Sequence, residues 1–264
     1  KDHSDDNSNS PISLDVLARQ SRDVLEGEAI DVLAELIALN GSSGGARPKA
    51  LIGVDEGFEN VVHGASDLAK GYQPWMVKFP NSQDGLDAGA IEYVYALMAM
   101  EAGISMPQVH LFDAKAGAGF FAIKRFDRIG RKRVHMHTAC GLLHSDYRTP
   151  SLDYEDLITL TSSLTRDVRE IEKMYKCAVF NVLAHNRDDH SKNFSFLMDE
   201  KGSWQLSPAY DLTFSSGPRG EQSTMVMGEG RNPGLDHLRK LGQEAGLSND
   251  RIDEIITQTR VALS

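Results

Sequence analysis

Cysteine is scarce in this chain, which excludes a disulfide-stapled scaffold and a cysteine-based zinc site. Cys140 and Cys177 are the two cysteines among 264 residues, and their spacing matches no metal-binding motif. Both have apolar neighbours in the sequence, so we expect two buried free thiols. A chain without a disulfide framework is typical of the cytosol.

Long apolar runs and an excess of positive charge are also missing. No run reaches the roughly 18 consecutive apolar residues that a membrane helix requires, so we expect no membrane association. Residues 1–10 are polar and acidic, lack the apolar core of a signal peptide, and are predicted to form a mobile arm. The formal net charge of −10 disfavours a broad nucleic-acid surface.

The hydrophobic pattern divides the chain into a mixed first half and a helical second half. Helical periodicity is predicted for residues 11–39, 87–102, 142–164, 167–184, 234–245 and 249–262. Strands are predicted for residues 50–54, 75–79, 109–112, 120–124, 194–198 and 204–206. Residues 55–71 are polar and are predicted to form a turn or loop.

The run from His185 to Asn193 packs acidic, basic and amide side chains between an apolar segment and a strand-like segment. Asp188 and Asn193 lie five residues apart, as do the catalytic aspartate and the metal-binding asparagine of the protein-kinase loop. A carboxylate there accepts a hydroxyl proton, and an amide oxygen helps to hold Mg²⁺ on the phosphates. Asp189 competes as the base, but only Asp188 has the five-residue offset.

Three further features complete a kinase-like set in the expected order. Residues 41–49 form a glycine-rich segment whose backbone N–H groups can approach phosphates, although a plain Gly/Ser linker has the same composition. Lys78 ends an apolar strand, and Glu92 lies on the following helix, where it can orient Lys78; a surface lysine and a solvated glutamate are the alternatives. Asp211 follows the last strand pair, where kinases place a second metal ligand, or else it is a turn residue.

Two other side chains of the loop are candidates for the same site. His190 can brace the loop or contact the γ-phosphate, and a structural hydrogen-bonding role is the alternative. Lys192 can neutralise phosphate charge or face the solvent. These features predict an α+β fold of protein-kinase-like, bilobed type. Its parts are the arm 1–10, a small mixed α/β N-lobe over residues 11–127 and a mainly helical C-lobe over residues 128–264.

The chain resembles the HipA-type serine/threonine kinases, the toxins of bacterial HipBA toxin–antitoxin modules. The resemblance spans about residues 40 to 235, and its most specific part combines the asparagine-to-serine loop with Arg-Phe-Asp-Arg. The matching segments are Gly44–Lys49, Val77–Pro80, Lys124–Arg128, His137–His144, Asn186–Ser195 and Ser207–Asp211.

The resemblance implies ATP and Mg²⁺ as cofactors, with Asp188 as the base and Asn193 and Asp211 as metal ligands. Lys78 would hold the α- and β-phosphates. Backbone atoms of Lys124 and Phe126 would meet the adenine. The family phosphorylates a serine of its own glycine-rich loop, for which Ser42 is the best match and Ser43 the second. The remaining nucleotide-binding positions would be Ser43, Gly44, Gly45, Ala46, Asp188 and His190.

The resemblance also implies partners. Family members phosphorylate aminoacyl-tRNA synthetases, bind a helix-turn-helix antitoxin of the HipB type, and reach DNA through it. Longer members carry an additional N-terminal subdomain, which residues 1–39 are too short and too helical to replace. The chain is therefore either a compact member, with a separate small protein supplying that subdomain, or a fragment.

Two other functions remain open at this point. A small-molecule kinase of the aminoglycoside or sugar type shares the Asp-to-Asn loop. A regulatory subunit that recruits an antitoxin with little catalysis is the second alternative, and the intact acid, lysine and metal positions argue against it.

Overall fold

A computed structural model describes residues 11–25, 47–64, 68–81, 84–130, 132–146 and 152–264. The chain divides into two compact units. Unit 1 comprises the residues up to 93 together with 108–133, and unit 2 comprises 94–107 together with 134–264. The sequence places its single boundary at 127/128, whereas the structural division falls at 133/134 and also assigns 94–107 to the second unit.

Unit 1 is built on a five-stranded antiparallel sheet with the strand order β2-β1-β3-β5-β4. The strands are β1 (Lys49–Asp55), β2 (Val61–His63), β3 (Tyr72–Lys78), β4 (Val109–Phe112) and β5 (Phe120–Lys124). In β1, Ala50, Ile52 and Val54 are buried at period two, which directs one face of the strand into the core. Helix α1 (Leu14–Leu25) places Leu14 and Leu17 in this core.

Helix α2 (Ala88–Glu101) begins in unit 1 and ends in unit 2. At Gly89 an added Cβ would lie 2.3 Å from the carbonyl oxygen of Gly119, just before β5. Glycine therefore permits a close approach of the helix start to this backbone. Three residues later, Glu92 is buried against the end of β3.

A β-hairpin of two short strands forms the last part of unit 1. Its strands are β6 (Arg128–Ile129) and β7 (Lys132–Arg133), which pair antiparallel.

Unit 2 has a helical core. Its helices are α3 (Ala139–Leu142), α4 (Tyr154–Thr165), α5 (Val168–Leu183), α6 (Leu235–Glu244) and α7 (Asn249–Ala262). Helix α5 is the central element, because Met174, Tyr175, Val179 and Phe180 are fully buried in it. An aspartate caps α5 at its start, where the Asp167 side chain accepts a hydrogen bond from the Arg169 N–H.

Two small sheets complete unit 2. The strands β8 (His135–Thr138), β10 (Ser195–Met198) and β11 (Trp204–Leu206) form an antiparallel sheet with β10 in the middle. The strands β9 (Leu152–Asp153) and β12 (Thr224–Met225) pair in parallel. Strand β10 directly follows the loop from His185 to Asn193, so the sheet fixes where that loop ends.

Most predicted elements are present, and the differences fall on short or polar segments. Residues 55–71, predicted to be a loop, contain β2. Within the predicted helix 142–164, the described residues 143–146 and 152–153 are not helical, and α4 begins at Tyr154. The sequence predicts no strand at β8. The arm 1–10, the glycine-rich positions 41–46 with Ser42 and Ser43, and part of the predicted helices 11–39 lie outside the described residues. In the described part of the chain, no helix is both long and apolar enough to cross a membrane.

Candidate active site

Unit 1 contains a buried ion pair between Lys78 and Glu92. Lys78 ends β3 and Glu92 lies one turn into α2, and Lys78 Nζ lies 2.5 Å from Glu92 Oε1. The side chains are 8% and 2% exposed, so neither is the solvated surface residue of the alternative reading. The carboxylate fixes the direction of the ammonium group. A role of this pair in phosphate binding stays a prediction.

A second lysine, Lys49, lies next to this pair in the sheet and was not among the predicted site residues. Lys49 of β1 is the direct cross-strand partner of Lys78 in β3. Directly opposite residues share one face of a sheet, and like charges at such positions repel each other. Glu92 offsets the charge of Lys78 at this pair of positions. The pairing register reveals Lys49, and the sequence alone does not specify that register.

The segment after β5 is held by a compact cluster of charges. Asp127 accepts two hydrogen bonds from Arg125, at 2.9 and 2.7 Å, and one from Arg128 at 2.5 Å. Burial opposes its ionisation, but the two guanidinium groups hold the pKa of Asp127 below its ordinary value. Phe126, one of the two predicted adenine contacts, lies between Arg125 and Asp127 in the sequence and is half-buried.

Lys124, the other predicted adenine contact, uses its backbone N–H inside the fold. That N–H donates to the carbonyl oxygen of Gln108 at 2.9 Å. The Lys124 N–H is therefore engaged within the sheet region, and a contact of Lys124 with adenine stays a prediction.

In unit 2 the predicted catalytic loop presents Asp188 to the solvent. The Asp188 side chain is 60% exposed, and His190 Nε2 lies 3.9 Å from its Oδ1. The side-chain amide of Asn193 donates to the Asp188 carbonyl oxygen at 2.9 Å. The structure thus brings Asp188, His190 and Asn193 together, and Asn193 braces the backbone that carries the carboxylate. Lys192 is exposed, as the solvent-facing alternative expects.

Asp189, the adjacent carboxylate, has the opposite environment. It is 1% exposed and accepts hydrogen bonds from the Tyr154 hydroxyl (2.7 Å), the Gln222 amide (3.0 Å) and the Ser223 and Thr224 N–H groups (2.9 and 3.2 Å). Burial raises the pKa of Asp189 to about 6, although the hydrogen bonds from Tyr154, Thr224 and Gln222 favour the ionised form. Asp189 fastens the loop to residues 222–224.

The hydrogen bonds around Asp189 continue to the start of the loop. Tyr154 donates to Asp189 and accepts from the Asn181 amide at 2.9 Å, and Asn181 accepts from the Asn186 amide at 2.9 Å. Because a carboxylate only accepts, it sets the direction of every donor in this chain. The buried network therefore links α4 and α5 to Asn186 and Asp189, which lie on either side of Asp188 in the loop.

Asp211 lies on a segment that is fastened to the same loop. The hydroxyl of Tyr210 donates to the Lys192 carbonyl oxygen at 2.7 Å and lies 2.5 Å from Ser195 Oγ. Asp211 itself has a φ of 60°, in the left-handed region. Such a conformation costs free energy unless its surroundings impose it, and it is concentrated at functional sites.

The donor set of Asn193 and Asp211 fits a hard cation. The Asn193 amide nitrogen is engaged with Asp188, so its oxygen is the atom left to act as a ligand. Mg²⁺ is bound by few protein oxygens and completes its shell with phosphate and water. Among the described residues, no group of three His, Cys, Asp or Glu side chains could hold a metal ion. A role of Asn193 and Asp211 as metal ligands stays a prediction.

Comparison with known proteins identifies the family. The model of the HipA-like C-terminal domain matches residues 41–264, which is most of the chain. This chain belongs to the family of HipA-like C-terminal domains. The match confirms the resemblance drawn from the loop and the Arg-Phe-Asp-Arg segment.

Relatives of this HipA-like chain include two proteins with kinase names. The putative kinase Y4dM of Sinorhizobium fredii is 26% identical over 203 residues, covering 71% of this chain and 46% of the relative. The serine/threonine-protein kinase toxin HipA of Shewanella oneidensis is 29% identical over 103 residues, covering 39% of this chain and 22% of that toxin. The chain thus spans about half the length, or less, of these relatives.

A solved structure supports the fold. A chain in the complex of HipA, HipB and operator DNA from Shewanella oneidensis MR-1 matches with a TM-score of 0.64 at 19% identity. The match covers 84% of this chain and 56% of that one. It confirms the predicted α+β, kinase-like fold class.

Proposed function

We propose that this HipA-like chain is an ATP-dependent serine/threonine protein kinase. The observation that carries the proposal is the contrast between two adjacent carboxylates. Asp189 is buried and holds the loop, whereas Asp188 is exposed on that fixed loop and braced by Asn193. A base must reach the hydroxyl of another molecule, and Asp188 has the exposure for that task.

The remaining residues take the roles that phosphoryl transfer requires. Lys78, oriented by Glu92, and Lys49 opposite it supply positive charge for the phosphates of ATP. The oxygens of Asn193 and Asp211 would hold Mg²⁺, which neutralises charge on the transferring phosphoryl group. His190 lies close enough to Asp188 to orient the carboxylate or to meet the γ-phosphate.

The substrate and partners follow from the family, and we include them in the proposal. The substrate is a serine of a translation component, with an aminoacyl-tRNA synthetase as the first candidate. The chain also modifies Ser42 or Ser43 of its own glycine-rich segment. A HipB-type helix-turn-helix antitoxin binds the chain in the cytosol and connects it to DNA. A solved complex of HipA, HipB and operator DNA, whose HipA-like fold this chain shares, supports this part of the proposal.

The test is labelling with γ-labelled ATP and Mg²⁺. Purified protein is incubated alone and with bacterial lysate, and the labelled species are identified by mass spectrometry. We expect label on Ser42 or Ser43 and on a protein of the translation apparatus, and none with Asp188→Asn. Label on a metabolite and on no protein would replace the protein-kinase function with that of a small-molecule kinase. Absence of any transfer would contradict catalysis altogether.

A further inference from the structure

Arg47 binds two carboxylates at once in unit 1. Its Nε lies 3.0 Å from Asp84 Oδ2, and its Nη2 donates to Asp84 Oδ1 at 3.2 Å. Its Nη1 donates to Glu92 Oε2 at 3.4 Å. The planar guanidinium group presents donors in a rigid fork, so one side chain spans both acids.

Glu92 is consequently held from two sides. Its Oε1 lies 2.5 Å from the Lys78 ammonium group, and its Oε2 accepts from Arg47. The carboxylate is 2% exposed, so water does not compete for either oxygen. Engaging both oxygens with separate cations restricts rotation of the carboxylate and therefore the direction in which Lys78 points.

Asp84 is also held by two hydrogen bonds with Asn81. The Asn81 N–H donates to Asp84 Oδ2 at 3.0 Å, and the Asp84 N–H donates to Asn81 Oδ1 at 2.9 Å. These reciprocal bonds join Asn81 and Asp84. A continuous chain of contacts thus runs from Asp84 through Arg47 and Glu92 to Lys78.

We propose that Arg47 is a positioning residue that holds Glu92 in the orientation required to aim Lys78 at the nucleotide phosphates. The inference rests on the proposed function, because phosphate is the group that Lys78 serves. Arg47 contacts two carboxylates, Asp84 and Glu92, so its positive charge is offset by its own partners. Its loss therefore disturbs orientation more than attraction.

A double-mutant cycle tests whether Arg47 acts through Glu92. We expect Arg47→Met to lower kcat about tenfold, with the KM for ATP within about threefold of the wild-type value, since misplacement of a positioned group affects the transition state most. The double variant Arg47→Met/Glu92→Gln should be no slower than Glu92→Gln alone. If the two losses multiply, Arg47 acts independently of Glu92 and the proposal is wrong.

Two further variants separate geometry from charge. Arg47→Lys keeps the charge but cannot span two carboxylates, so we expect it to resemble Arg47→Met. Asp84→Asn should reduce kcat in the same direction, because it releases the other end of the bridge. Full activity of Arg47→Lys would contradict the proposal. The matched control is Arg133→Met, which removes an exposed cation of β7 in the same unit and should leave kcat unchanged.

Thermal unfolding of the same variants keeps the inference separate from the proposed function. If the wild-type protein transfers no phosphate, the proposed function fails and the bridge is judged by Tm alone. We then expect the Tm losses of Arg47→Met and Glu92→Gln to be clearly less than additive, because both remove one shared contact. Additive losses would contradict the bridge whether or not the protein is a kinase.

Discussion

The two units fix their candidate functional side chains in different ways. In unit 1 the functional group itself is buried: Lys78 is 8% exposed and is held by an ion pair with Glu92. In unit 2 the functional group is exposed, and the adjacent residue is the buried one that holds the loop. Asp188 is 60% exposed, whereas Asp189 is 1% exposed. A lysine that meets phosphate needs a fixed direction, and a base that meets an incoming hydroxyl needs access.

This difference predicts that function and stability are separate in unit 2 and linked in unit 1. Removing Asp188 should affect catalysis alone. Removing Asp189 should affect the fold, and removing Lys78 should affect both.

The largest expected effect is on catalysis by Asp188→Asn. Loss of a general base typically costs about 10²–10⁴-fold in rate, so we expect phosphate transfer to fall by about 10³-fold. Because the side chain is exposed, the free energy of unfolding should change by less than about 0.5 kcal/mol. Rates of γ-phosphate transfer and urea unfolding curves measure the two effects, with Glu200→Gln as an exposed acid-to-amide control. Unimpaired transfer would remove Asp188 from the mechanism.

Asp189→Asn, unlike Asp188→Asn, should lower the free energy of unfolding. In the wild-type protein four donors bind the Asp189 carboxylate, and the substitution replaces this carboxylate with an uncharged amide. Hydrogen bonds to charged groups contribute about 1.5–3 kcal/mol each. We expect a loss of about 3 kcal/mol in the free energy of unfolding, seen as a lower urea midpoint. A variant as stable as Asp188→Asn would show that the buried network is not what holds the loop.

Lys78→Met should lower both quantities. Phosphate transfer loses its oriented cation, and Glu92 stays buried with Arg47 still bound to its Oε2. Breaking a buried ion pair costs about 3–5 kcal/mol, and the contact with Arg47 reduces this to about 2 kcal/mol. Rates of phosphate transfer and urea unfolding curves of the same preparation measure the two losses. A variant that loses transfer at unchanged stability would show that unit 1 separates the two roles just as unit 2 does.

The smallest expected effect concerns a partly exposed ion pair in unit 2. Glu172 on α5 accepts from Arg251 on α7 at 2.6 and 3.1 Å, and this guanidinium contact, with Lys176, lowers the pKa of Glu172 to about 2. The stabilisation is therefore present above about pH 4.5 and is lost as the pH falls towards 2. Glu172→Gln should remove about 1 kcal/mol of this acid dependence after screening by solvent. Unfolding curves between pH 2 and 6 measure it; identical pH profiles for both proteins would show that the pair adds nothing.

Much of the fold was predictable because its signals are local. The helix predicted at 87–102 and the strand predicted at 50–54 each lie within one residue of the observed ends of α2 and β1. Strand β8 was missed for the opposite reason. Its sequence His-Met-His-Thr has no strand pattern of its own, and it is a strand because it pairs with β10.

The candidate site also combines local sequence features with contacts between distant residues. The five-residue offset from Asp188 to Asn193 and the order of Lys78, Glu92 and Asp211 are properties of the sequence, and they were sufficient to predict a kinase-like family member. The preference for Asp188 over Asp189 also came from spacing. Their opposite burial, however, depends on Tyr154, Gln222 and Thr224, which lie more than thirty residues away in the chain.

The sequence by itself determined which chemical groups are present, in what order, and hence the family and the kinase-like fold class. The tertiary structure alone decided which of them meet: Lys49 opposite Lys78, Arg47 between Asp84 and Glu92, and Asp189 beneath the loop that exposes Asp188. The reason is that helix and strand periods act over a few residues. Ion pairs and pairing registers join positions tens of residues apart, and only the packed core brings those positions together.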